Sequence, residues 1–351
     1  MERTFPQILS EYQKKITQEL EKFFNRKIKQ TKEVGAKKNL RLLKEFSLRP
    51  AKRLRAILVN YGYFLAGGKN RKTILETSIF IELIHNFLLI HDDIIDQDEL
   101  RRGRPSLHYQ YKKLSSFKAE KNKNFGQSMA MIAGDLINVL GYEILTNSEF
   151  PANLKIQALE KLNQIIIKTC QGQMLEMLLK QKLVNNKKVN EKDILKIYQS
   201  KTAYYSFFGP LQIGAILAGA NKKFLEKLKN YALPLGIAFQ IQDDLTEIFG
   251  SKKEIGKPLC SDIREGQPNL LIIKTLEKIK IFRKYLGKTK INKNEIRKIK
   301  EIIRKAGVLE YCQKKSEKLI SHSKKAVNLR IFPKKEKQFL LDLTEYIVKR
   351  Y

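Results

Sequence analysis

The chain has 351 residues, of which 69 are Lys or Arg and 36 are Asp or Glu, so its formal net charge is +33 and its pI is near 9.9. A hydrophobic content of 42% supplies enough apolar surface for a sizeable core and excludes a wholly disordered chain, although 30% of residues are charged. No glycine period or proline-rich tract is present, which excludes the fibrous classes.

The chain opens on an amphipathic helix. Ile8, Leu9, Tyr12, Ile16, Leu20, Phe23 and Phe24 recur at helical spacing, without the apolar core of a signal peptide. The same period predicts helices over 52–65, 73–100, 127–147, 152–182, 191–207, 222–248, 268–286, 293–305, 307–328 and 334–350. Turn chemistry separates them at Gly67-Gly68, Arg102-Gly103-Arg104-Pro105, Phe150-Pro151, Gly256-Lys257-Pro258 and Phe332-Pro333. Strand alternation is absent and no linker divides two composition regimes, so residues 1–351 read as one all-α domain. The stretch Thr202–Asn221 is uncharged for 20 residues, close to membrane-spanning length. Its Pro210, Gln212 and tyrosines mark it instead as a buried helix broken near Gly209-Pro210, and no transmembrane segment is expected. The lysines are dispersed rather than gathered into an arm, and no zinc-finger spacing or RNP motif occurs. That reads as a solvated basic surface, with no nucleic acid as partner. Cys170, Cys260 and Cys312 are widely spaced, as reduced thiols of a cytoplasmic protein would be.

Two acidic clusters interrupt apolar helices. In HDDIIDQDELRRGRP (91–105), Asp92 and Asp96 share a helical face, with Asp93 and Asp98 crowding them. Such like charges repel unless a cation lies between them, and hard oxygen donors of this kind suit Mg²⁺. Arg101 and Arg102 follow, and guanidinium groups bind phosphates bidentately. In FQIQDDLTE (239–247), Asp243 and Glu247 share a face, with Asp244 beside them and Gln240 one turn earlier. Basic segments complement these clusters: Lys52 and Arg55 at i, i+3, expected to face the same way on a helix; Lys201 beside Thr202; and Lys257 in a Gly-Pro turn. His85 lies two turns before Asp92 on the same face. No HExxH or Cys/His spacing points to zinc.

These motifs resemble the trans-isoprenyl (polyprenyl) diphosphate synthase family over nearly the whole chain. The elements that carry the resemblance are AKRLRA (51–56), ELIHNFLLIHDDIIDQDELRRGRPSLH (82–108), AGDLI (133–137), QGQMLE (171–176), KTAYYSF (201–207), LGIAFQIQDDLTEIFG (235–250) and GKPLCSDIREGQPNLL (256–271). The resemblance implies an isoprenoid-synthase-like helical bundle around a central cavity. It implies a catalytic set of Asp92, Asp96, Arg101, Lys201, Asp243 and Lys257, with two or three Mg²⁺ ions on Asp92, Asp96 and Asp243. By the same resemblance, Arg101, Lys201, Thr202, Gln240 and Lys257 hold an allylic diphosphate, and Lys52, Arg55, His85 and Arg102 hold isopentenyl diphosphate. It also implies a homodimer.

The chain departs from the family pattern at Glu247 and Glu176, each where an aspartate is usual. Gln267 stands where a lysine is usual and Asn269 where a threonine is. Phe87, five residues before Asp92, stands where the family places a floor under the growing product. With no insertion in the first motif, that position resembles archaeal-type geranylgeranyl diphosphate synthases more than farnesyl synthases. The alternatives are a farnesyl or longer-chain synthase, a terpene cyclase and a non-catalytic synthase subunit. The basic segments argue against the cyclase, and retention of both acidic clusters argues against the silent subunit.

Overall fold

The computed structural model describes residues 4–250, 259–288, 290–327 and 331–348. They form two compact units. The first comprises Met1–Phe64, Gly68–Leu159 and Ile216–Ala218, and the second comprises Leu65–Gly67, Glu160–Ala215 and Gly219–Tyr351.

The first unit begins with α1 (Phe5–Gln30), started by a capping box in which Gln7 accepts the Thr4 backbone N–H at 2.9 Å. Then come α2 (Val34–Leu48), α3 (Leu54–Leu65), α4 (Arg71–Ser78), α5 (Phe80–Ile95), α6 (Leu107–Leu114) and α7 (Ala119–Thr146). The α5 helix lies along α7, and Leu20, Phe24, Leu43, Phe46, Ile57 and Ile84 are buried in this unit. A minimal antiparallel hairpin joins α5 to α6: β1 (Leu100–Arg101) pairs with β2 (Arg104–Pro105) in the register Leu100↔Pro105, Arg101↔Arg104.

In the second unit α8 (Ala152–Val184) contributes from residue 160 onward. It is followed by α9 (Glu191–Ile197), an eleven-residue π-helix (Tyr198–Phe208), α10 (Gly209–Leu217) and α11 (Lys222–Phe249). The helices Ser261–Glu265, Leu270–Lys278, Lys293–Lys305, Val308–Val327 and Lys334–Val348 complete it. The α11 helix packs on both the π-helix and Val308–Val327. Gly236 permits the first of these contacts, because a Cβ there would lie 2.4 Å from the Cα of Ala203. Ile241, Leu245, Ile263, Leu271, Phe282 and Cys312 sit in one buried apolar cluster.

Among the described residues the fold is all-α apart from the hairpin, which strand alternation could not reveal in two-residue strands. The run predicted over 73–100 is two helices, α4 and α5, and it ends at Ile95. The α2 and α6 helices were not anticipated. Lysines crowd the start of α2, but Glu33 caps it by accepting from the Gly35 and Ala36 N–H groups, and Leu40, Leu43 and Phe46 are buried. From Ala203 the uncharged stretch is buried through Leu217 except at the half-buried Tyr204, but the break expected near Gly209-Pro210 does not occur. Gly209 keeps right-handed helical geometry, and the π-helix passes directly into α10, the Gly209 N–H bonding the Tyr204 carbonyl in π register. Among the described residues two helical runs, Arg71–Ile95 and Glu120–Thr146, have the length and composition to cross a membrane. The apolar window of the first is 67% buried.

Candidate active site

The carboxylates of the first unit gather where α5 ends. Asp96 is the C-cap, its backbone N–H bonding the Asp92 carbonyl at 2.8 Å, so Asp92 and Asp96 stay one turn apart. Negative charge at a helix C-terminus opposes the macrodipole, so this cluster needs cations. Arg101 supplies one. Its guanidinium pairs with Asp93 and lies 3.6 Å from Asp92 and 3.4 Å from Asp98. Burial pushes the Asp93 carboxyl up to about 6, although Arg101 pulls the other way, and Asp93 Oδ2 is buried without a hydrogen-bond partner.

Arg102 serves a different cluster. It turns the hairpin at φ 54°, followed by Gly103 at φ 73°, the two positive values of a type I′ turn. Its guanidinium is influenced by Arg53, Glu82 and Arg55, and burial followed by those arginines lowers it to about 10. Arg102 Nη1 is buried without a hydrogen-bond partner. Arg55 Nη1 lies 3.1 Å from His85 Nε2. Burial, then Arg55 and Arg102, holds His85 well below its usual pKa, so the ring is neutral; because Arg55 can only donate, the His85 proton sits on Nδ1. Arg53, with 3% exposure, donates to Glu82 at 3.3 Å and to the Ser47 carbonyl at 2.6 Å. Three guanidinium groups around one carboxylate leave a surplus of positive charge suited to a polyanion.

Lys52 corrects the sequence reading. The α3 helix starts only at Leu54, and Arg53 adopts φ 52°, so Lys52 precedes the helix and does not share a helical face with Arg55. Phe87 stacks edge-on against His91, with ring centroids 4.8 Å apart, and His91 Nε2 lies 3.2 Å from the Met131 carbonyl of α7.

In the second unit, Lys201 and Thr202 stand on the π-helix and Gln240 and Asp243 on α11. Lys201 pairs with Glu176 of α8. Thr202 Oγ1 donates to Gln240 Oε1 at 2.6 Å, and Gln240 Nε2 donates to Asp244 Oδ1 at 2.9 Å. Tyr198 donates to the other oxygen of Asp244. Asp243 is partly exposed beside the buried Asp244. Lys257 lies outside the described residues.

Two departures acquire structural roles. Glu247 Oε1 accepts from Ser261 Oγ at 2.7 Å and from the Asp262 N–H at 3.1 Å, so the longer side chain ties α11 to the helix Ser261–Glu265. Burial and then Asp262 push the Glu247 carboxyl up to about 7. Asn269 is the N-cap of Leu270–Lys278, accepting from the Ile272 N–H at 2.9 Å and donating to Asp262 at 2.9 Å. Gln267 Nε2 lies 3.3 Å from Glu265. The sequence reading missed Arg49, Arg53, Glu82 and Tyr198, each of which has at least one partner remote along the chain.

Residues 37–304 match the polyprenyl synthetase family model, which covers most of the chain and both acidic clusters. The chain belongs to the polyprenyl synthetase family. As a member of that family it is a trans-prenyltransferase of isoprenoid biosynthesis. This polyprenyl synthetase is 34% identical to the geranylgeranyl diphosphate synthase of Sulfolobus acidocaldarius over 284 residues, 79% of this chain and 80% of that one. It is 33% identical to the same enzyme of Saccharolobus solfataricus over 329 residues, 90% and 92% of the two chains. The crystal structure of a geranylgeranyl pyrophosphate synthase from Corynebacterium glutamicum, complexed with isoprenyl diphosphate and magnesium, superposes with a TM-score of 0.89. It is 25% identical, with 98% and 99% of the chains covered.

Proposed function

We propose that this polyprenyl synthetase joins isopentenyl diphosphate to an allylic diphosphate in a trans 1′–4 condensation and releases geranylgeranyl diphosphate. The observation that carries the reading is the parting of two adjacent arginines, Arg101 to a carboxylate cluster and Arg102 to a buried cationic one. A condensation of two diphosphates needs both kinds of site: one where a diphosphate departs, and one where a diphosphate is held while its double bond attacks.

Among the described residues no three His, Cys, Asp or Glu groups form a ready metal cage. That fits Mg²⁺, which commonly takes one or two carboxylates and completes its shell with substrate oxygens and water. The donors Asp92, Asp96 and Asp243 are all hard carboxylate oxygens, and they are the residues that would hold it. Bound there, Mg²⁺ would neutralise charge developing on the leaving diphosphate. Arg101, Lys201 and Lys257 would add fixed positive charge to the allylic diphosphate, with Thr202 and Gln240 orienting it. Arg55, Arg102, His85 and Lys52 would hold isopentenyl diphosphate, the neutral His85 keeping the Arg55 guanidinium in place. Apolar helix faces would keep water from the allylic cation. Phe87 would stop elongation at four isoprene units.

The α7 helix presents Ile132, Leu136 and Val139 at i, i+4 and i+7, with 63%, 40% and 63% exposure, and a second copy of the chain in a cytoplasmic homodimer would cover them.

The decisive experiment is incubation with isopentenyl diphosphate, each allylic primer and Mg²⁺, followed by chromatography of the dephosphorylated products. Geranylgeraniol as the main product supports the reading. Main products of other lengths overturn the product assignment, and absence of condensation overturns the site roles.

A further inference from the structure

We infer that Arg49 is a positioning residue that clamps the hairpin carrying Arg101 and Arg102, and so sets the aim of both arginines at once. Its functional consequence rests on the diphosphate-binding roles proposed above for those two residues.

The hairpin cannot hold itself. Its strands are two residues each, too short for independent stability, and its turn keeps Arg102, a residue with a Cβ, at φ 54°. Arg49, at the end of α2 and 2% exposed, spans both strands. Its Nη1 donates to the Arg101 carbonyl at 3.0 Å and its Nη2 to the Pro105 carbonyl at 2.9 Å. The rest of the same fork is fixed from the other side, because Nε and Nη2 hold Glu45 at 3.1 Å and 2.7 Å. The Phe46 ring lies beneath the guanidinium, 4.9 Å from centroid to Cζ. The Arg49 carbonyl in turn accepts from Arg53 Nη2 at 3.1 Å, which links the clamp to the cationic cluster around Arg102. Only a planar, multiply donating group can bridge two carbonyls and a carboxylate together; an ammonium is a single point donor centre.

The test is Arg49→Lys, which keeps the charge opposite Glu45 and removes the fork. Expected are faster hydrogen–deuterium exchange of the amides of residues 99–106, a KM for isopentenyl diphosphate raised about tenfold and a kcat lowered about tenfold, since small misplacements of binding groups have effects of this size. Arg104→Gln is the control. Arg104 shares Glu45 at 2.9 Å, and its loss is expected to leave both kinetic constants unchanged because the carbonyl bonds remain. If Arg49→Lys does not fold, Glu45→Gln takes its place, loosening the fork from its other end with the same expected direction. Unchanged exchange overturns the clamp. Faster exchange with unchanged kinetics overturns its role in aiming the arginines. A wild-type enzyme that binds no diphosphate would instead overturn the roles of Arg101 and Arg102, with exchange still deciding the clamp.

Discussion

Tyr198 donates its phenolic hydrogen to Asp244 and accepts the backbone N–H of Leu270 at 2.8 Å, so one hydroxyl joins the π-helix, α11 and the start of the helix Leu270–Lys278. From Asp244 the bonding continues through Gln240 to Thr202. Burial, then the neighbouring Asp244, pushes the Tyr198 phenol well above its usual pKa, so it remains a donor across the working pH range.

Replacing Tyr198 with Phe leaves shape intact and strands the Asp244 oxygen and the Leu270 amide. Each buried group so stranded costs about 1–3 kcal/mol. The denaturation midpoint should fall accordingly, and kcat should drop as the Gln240–Thr202 pair loosens. Equilibrium denaturation and steady-state kinetics of the variant check both.

Asp92→Ala and Asp243→Ala should each lower turnover by several orders of magnitude while far-ultraviolet circular dichroism stays at the wild-type value. The lost charge acts chiefly where the leaving diphosphate develops its own. Near-normal turnover with Mg²⁺ present, in either variant, would contradict the assignment.

Phe87→Ala should lengthen the product by one or more isoprene units. Removing the ring opens room beside His91, and each further buried methylene of the product gains about 0.8 kcal/mol. If Phe87 serves packing alone, the change lowers stability by about 3–5 kcal/mol and leaves the product length alone. Melting temperature and product chromatography, measured together, separate these outcomes.

Glu191 gives a pH signature away from the site. Burial alone would raise its carboxyl. Bonds from Lys274 at 2.8 Å, Lys315 at 2.6 Å and Tyr311 at 2.7 Å outweigh that and hold it at about 2. A carboxyl depressed in the folded state stabilises above its unfolded pKa, near 4.5, and that contribution is lost as pH falls toward 2. The contribution is about 1–2 kcal/mol after allowing for solvent screening. Glu191→Gln should therefore be less stable than wild type at neutral pH, with the gap closing between pH 4.5 and 2 in acid denaturation curves.

The acidic clusters were legible in the sequence because each depends on spacing within one helix, as with Asp92 and Asp96. Lys52 was misread because helical spacing was extended through Arg53, whose left-handed backbone no periodicity encodes. The π-helix was invisible in the sequence because its run from Ala203 is so apolar that the pattern does not distinguish i→i+5 from i→i+4 pairing. Arg49 carried no signal in the sequence, because its carbonyl partners lie 52 and 56 residues further on. Asn269 looked like a departure from a family pattern, yet an asparagine caps a helix as well as a threonine does.

In the π-helix each N–H reaches back five residues rather than four. Residue count across Tyr198–Phe208 therefore sets the angular phase of Lys201 and Thr202 as firmly as residue identity does. Removing one residue after Thr202 would let the segment relax into ordinary α pairing with its composition nearly unchanged. The flanking chain would then be turned by about 100°, one residue's step around an α-helix. Lys201 and Thr202 would lose their alignment with Glu176 and Gln240 although every one of those side chains was still present. The segment is thus far less tolerant of a length change than of many substitutions.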